Sequence, residues 1–138
     1  MSDTTTLSHE YETSASFAET VNQAVLKLKK ARLGRPDVSS SEVTDARSTM
    51  ASLLDAVASS LGAPARAKTP VPVPNEVLER LVSKHTNRLS YFQDDLVQAA
   101  AALQKGTAID DEALKVLEEL SDAADATASA SFRRLRRR

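Results

Sequence analysis

The sequence predicts an all-α fold: an elongated antiparallel four-helix bundle, built from two helical hairpins joined by a proline-rich linker. Three observations carry that expectation. Each of the 3 glycines falls where an apolar-periodic run should end. Apolar side chains recur at three- and four-residue steps, and no stretch sustains the alternation of β-branched and polar residues that a strand needs. With 138 residues, 41% hydrophobic, the chain can fill a single core, so disorder over its whole length is not expected.

Taken in order, residues 1–8 read as a disordered N-terminus, followed by a first helix over roughly 9–33. Its buried stripe is Phe17, Val21, Ala24, Leu28 and Ala31. Gly34 stops it, and Pro36 prevents resumption. Ser39 with Glu42 has the form of a capping box, flanked by Val38 and Val43 at the staple positions. The second helix should run over roughly 40–61, burying Val43, Ala46 or Arg47, Met50, Leu54, Val57 and Leu61 before Gly62 and Pro64. Residues 9–62 thus form the first hairpin.

The linker, 63–74, holds Pro64, Pro70, Pro72 and Pro74 and should be extended polyproline II. At about 3.1 Å per residue it reaches roughly 37 Å, enough to cross the bundle or to exchange hairpins between two chains. Its Pro-Val-Pro-Val-Pro stretch reads as a spacer.

Asn75 is positioned to cap a third helix over roughly 76–105. Leu78, Val82, His85, Leu89, Phe92, Leu96, Ala99 and Leu103 form its heptad seam, which ends at Gly106. Thr107 or Asp110 caps a fourth helix over roughly 111–134, with Asp110, Asp111 and Glu112 complementing the helix dipole. Its stripe is Ala113, Val116, Leu117, Leu120 and Ala124, then small residues until Phe132 and Leu135. Residues 75–138 make the second hairpin, and the two hairpins together make one domain.

Composition removes several function classes. The absence of cysteine excludes disulfides, thiolate-bound zinc, iron–sulfur clusters and thiol catalysis. No glutamate stands three residues before either histidine, as a helical di-metal site requires, so no metal or other cofactor is expected. Asp111, Glu118, Asp122 and Asp125 read as one solvated face. No phosphate-binding glycine loop, nucleophile elbow or metalloprotease motif occurs, and aromatic content of 4% disfavours a deep small-molecule pocket. The chain therefore reads as non-enzymatic, without a small-molecule substrate. No run approaches the ~18 apolar residues of a membrane span, and Met1 to Ser8 is polar rather than signal-like, which points to a cytoplasmic protein.

Two features stand out. His85 interrupts an apolar seam, where it reads first as a polar residue that sets helix register. The alternative is a phosphoacceptor on a histidine phosphotransfer-type four-helix bundle, with Lys84 and Arg88 to balance phosphate charge. Against it, the seam points His85 inward, and Thr86, Asn87 and Leu89 replace the small residues that usually follow such a histidine. The second feature is the arginine run Arg133, Arg134, Arg136, Arg137 and Arg138, which brings a markedly acidic chain to a formal net charge of −1. Pairing with Glu10, Glu12, Glu76 and Glu79 and with the helix dipole accounts for part of it. The surplus suggests an anionic partner: another protein, a second copy of the chain in a homodimer, or, with less weight, nucleic acid. Phe132 and Leu135 offer too little apolar area for membrane anchoring. A second basic cluster, Lys27, Lys29, Lys30, Arg32 and Arg35, should be neutralised within the chain by Glu42, Asp45, Asp110, Asp111 and Glu112. The function expected is thus a helical interaction module (an adaptor, assembly or regulatory subunit) that binds a protein partner through helix surfaces and a basic pole.

Overall fold

The helix ends fall mostly where side-chain chemistry puts them. In the computed structural model, which describes residues 2–62, 73–106 and 108–136, Ser39 caps the second helix by accepting from the Glu42 amide at 3.2 Å. Asp110 caps the last helix by accepting from the Ala113 amide at 2.8 Å. All three glycines stand at positive φ. Gly106, at φ 74°, is the left-handed residue whose amide closes back on Ala102 and Leu103, a conformation that costs a residue with a Cβ.

The described residues form five α-helices: α1 (Ser2–Arg32), α2 (Ser40–Ser60), α3 (Asn75–Lys84), α4 (Leu89–Lys105) and α5 (Asp111–Arg136). No strand occurs among the described residues. Helix α1 starts at Ser2 rather than near residue 9, so the segment expected to be disordered extends the helix. No glycine or proline interrupts it before Gly34. Most of the linker, and Thr107 with it, lies outside the described residues.

The expected third helix is two helices. His85 (φ −112°, ψ 24°) closes α3, a short 3₁₀ turn covers Thr86–Arg88, and Arg88 (φ −136°, ψ 28°) opens α4. Thr86 Oγ1 donates to the carbonyls of Val82 and Ser83, both at 3.0 Å, so the side chain satisfies carbonyl oxygens of the ending helix. Burial in α3 falls on Val77 and Leu81, one position before the seam residues Leu78 and Val82, and Val82 is exposed. Beyond the break the seam holds, with Phe92, Leu96, Ala99 and Leu103 all buried. Asn75 is the first residue of α3 and supplies no cap; Pro74 precedes it with no side-chain hydrogen bond.

Packing then divides. Helix α1 lies antiparallel to α5, as the contacts Ser14–Ser131, Asn22–Asp125 and Lys29–Glu118 require. Helix α4 lies antiparallel to α2: Arg47 donates to the Leu103 carbonyl, and Gln93 donates to the Leu61 carbonyl. Helix α3 packs on α5 instead, while α4 touches α5 only lightly. Helix α2 is enclosed, with Leu53, Leu54, Asp55, Ala56, Val57 and Ala58 all buried in succession, and Gln104 reaches the buried Asp55 at 3.4 Å. On α5 the buried face continues through Thr127 and Ser131 rather than Phe132, which is 42% exposed. Thr127 satisfies its hydroxyl on the Ala123 carbonyl at 2.8 Å, and Ser131 meets the Ser14 hydroxyl of α1 at 3.5 Å.

Replacing Gly106 with alanine should lower unfolding free energy by about 1 kcal/mol, because the left-handed turn into α5 then carries a Cβ. Urea denaturation monitored by circular dichroism reads this directly, and an unchanged midpoint would contradict it.

Candidate functional site

The break in the third expected helix creates the most distinctive polar arrangement of the molecule. A residue at the end of a helix is free to turn its side chain away from the helical face. His85 uses that freedom to lay its imidazole on the Phe92 ring, 3.9 Å between centroids and 8° from parallel. Its Nε2 meets Glu119 Oε2 of α5 at 3.0 Å. A carboxylate can only accept, so Nε2 carries the proton and donates it, which fixes the ring's orientation. Lys84 Nζ approaches the other Glu119 oxygen at 3.7 Å. The side chains are largely enclosed, 19% exposed for His85 and 13% for Glu119.

Beside this pair, α4 and α5 separate to leave an open groove of about 410 Å³. Its apolar floor comes from Phe92, Ala99, Ala102, Ala113 and Val116. Its rim carries the carboxylates Asp95, Asp110, Glu112 and Glu119 against the cations Arg88 and Lys115. Arg88 lies over the exposed Tyr91 ring at 5.6 Å from its centroid. Among the described residues the groove lining contains no serine, threonine or cysteine, and the hydroxyl it does carry is the phenol of Tyr91. Among the described residues no group of three or more histidine, cysteine or carboxylate side chains could hold a metal ion.

The basic residues fall into two unlike sets. At the end of α1, Lys29 pairs with Glu118 at 3.1 Å, Lys30 with Asp37 at 3.0 Å, Arg32 with Asp111, and Arg35 with Asp37 at 3.6 Å. Of the carboxylates expected there, only Asp111 takes part; Asp37 and Glu118 serve in place of Glu42 and Asp45. The hydrogen bond from Lys30, aided by the charges of Lys30 and Arg35, holds the Asp37 carboxyl below its ordinary value. Asp111, Glu118, Asp122 and Asp125 of α5 are all exposed, and from that solvated face Asp111, Glu118 and Asp125 contact Arg32, Lys29 and Asn22 along the edge of the α1–α5 seam.

At the far end of α5 the arginines are much less occupied. Arg134 pairs with Glu76 of α3 at 3.1 Å and donates to Ser131 Oγ at 3.1 Å. Glu76 is shared with Arg80, also at 3.1 Å. Arg133 and Arg136 are exposed, and neither forms an ion pair among the described residues. Arg136 rests over the Phe132 ring, 5.8 Å from its centroid, and that ring meets Tyr11 at 5.4 Å. Arg137, Arg138 and the side chain of Glu10 lie outside the described residues.

The sequence singled out His85 and the arginine run, and the structure sets them on separate parts of the molecule. Sequence reasoning names no partner for His85; the structure supplies Glu119, which lies on a different helix. The polar run Ser83 to Arg88, which interrupts the apolar pattern for more than a helical turn, is a signal for the helix break and not for the partner of His85. No protein-family model, no curated protein and no solved structure matches the chain.

A double-mutant cycle with His85→Ala and Glu119→Ala should give a coupling energy on the order of 1 kcal/mol, as for a half-buried charge-assisted hydrogen bond. Thermal or urea unfolding of the four forms measures it, and additive effects would show that the contact does not hold α3 to α5.

Proposed function

We propose that the chain is a non-enzymatic helical interaction module, serving as an adaptor, assembly or regulatory subunit, and that it engages a protein partner through its helix surfaces and the arginine-rich end of α5. In this reading α3 and α4 act as one bent arm, so the module is an elongated bundle of two antiparallel hairpins working in the cytoplasm. No described helix is long and apolar enough to cross a membrane.

One contrast supports the reading. The chain neutralises four of the cations at the end of α1 with its own carboxylates, yet Arg133 and Arg136, beside a half-exposed aromatic ring, form no ion pair among the described residues. Exposed ion pairs contribute only about 0–1 kcal/mol, so folding alone gives little reason to concentrate arginines there. Arginine beside an aromatic ring is a combination enriched in protein–protein contacts. Phosphoryl transfer through His85 has less behind it: Nε2 is engaged by Glu119, and a phosphoryl group there would sit against that carboxylate. Nucleic acid as the partner has support only from the same arginines, on a chain of formal net charge −1.

The test is affinity capture from lysate with the native chain and with Arg133→Glu/Arg136→Glu, in the presence and absence of competing DNA and RNA. The expected result is a protein retained by the native chain, lost with the double variant and undisturbed by competitor. Retention that ignores the substitutions, or capture that nucleic acid displaces, would contradict the proposal.

A further inference from the structure

Arg133 and Arg136, which form no ion pair among the described residues, have a match in charge and shape on the same molecule. Among the rim carboxylates of the α4–α5 groove, Asp110 is committed to capping α5 and Glu119 to His85 and Lys84. Asp95 and Glu112 remain exposed and form no ion pair among the described residues. The floor between them is lined by Phe92, alanines and Val116, and the small alanine side chains admit the close approach of another helix. At the other end of α5, Phe132, Arg133 and Arg136 form one exposed patch of an aromatic ring and two cations. An apolar floor with two carboxylates that form no ion pair among the described residues thus has a counterpart in one apolar ring with two guanidinium groups that form none either.

A chain cannot make this contact with itself. The groove is built on the first turns of α5 and the patch lies on its last turn, with Val116 and Phe132 in one continuous helix. At about 1.5 Å per residue the two are more than roughly 20 Å apart along a rigid axis.

We propose that the partner of the arginine end is a second copy of this chain: Phe132 of one molecule enters the α4–α5 groove of the next, and Arg133 and Arg136 meet its Asp95 and Glu112. This deepens the interaction-module reading and rests on it. The contact is heterologous, since each molecule offers one patch and one groove, so association continues past the dimer unless the geometry closes a ring. Arg88 and Lys115, also on the rim, oppose an incoming cation and keep the association weak and salt-sensitive.

Sedimentation equilibrium of the full chain up to ~500 µM tests this. The native chain should show a mass that rises with concentration past two chains or levels off at a closed ring, with association roughly tenfold weaker on going from ~50 to ~500 mM salt. Arg133→Glu/Arg136→Glu should stay monomeric, and so should Asp95→Lys/Glu112→Lys. An equimolar mixture of the two should associate again, because the acidic patch of one then fits the basic groove of the other. That rescue requires both variants to be folded, so it separates lost complementarity from lost structure. A native chain that stays monomeric overturns the proposal, as does a variant that associates like the native chain or a mixture that fails to recover. If the chain is monomeric but arginine-dependent capture of another protein persists, only the self-partner is lost. If that capture is absent as well, the interaction-module reading falls with it.

Discussion

The interruption at His85–Arg88 governs how the remaining helices share their apolar surfaces. A single straight helix over residues 75–105 would have to serve α2 and α5 along one line. Breaking it lets α3 lay Val77 and Leu81 into the core as α3 packs on α5, while α4 places Phe92, Leu96, Ala99 and Leu103 in the core against α2. The stack of His85 on Phe92 ties the two pieces together across the break, and the hydrogen bond to Glu119 anchors the junction to α5. A 3₁₀ turn has poorer hydrogen-bond geometry than an α-helix, and those side-chain contacts are what offset it. With α4 directed toward α2, the space between α4 and α5 stays open as the groove.

Charge follows from the same arrangement. Helices α1 and α5 run antiparallel, so the basic last turns of α1 stand beside the acidic first turns of α5, and the chain uses one to neutralise the other. At the opposite end the arginines of α5 find Glu76, which Arg80 already holds. Two clusters of similar composition therefore differ in what they leave available. One is absorbed by the fold, and the other keeps Arg133 and Arg136 without an ion pair among the described residues.

Local chemistry made much of the fold legible in the sequence. The stops at Gly34 and Gly106, and the caps at Ser39 and Asp110, depend only on neighbouring residues. The core residues Val21, Leu28, Met50, Leu54, Leu96, Leu117 and Leu120 follow from helical periodicity. Periodicity failed at residues 85–88 because apolar residues before and after the break keep three- and four-residue spacing, so a count of the pattern passes through it. The carboxylate face of α5 is exposed as its periodicity implies, but the pairing of Asp111 and Glu118 with α1 depends on which helix lies beside it. The partnership of His85 with Glu119 joins residues on different helices, and no local pattern encodes it. The candidate groove was equally hidden, since it exists only because α4 and α5 diverge.

Backbone and side-chain NMR of the full chain tests the central point most directly. The account requires helical secondary shifts over 75–84 and 89–105, their collapse at 86–88, and nuclear Overhauser contacts between the rings of His85 and Phe92. Unbroken helical shifts from 75 to 105, with the two rings out of contact, would contradict it.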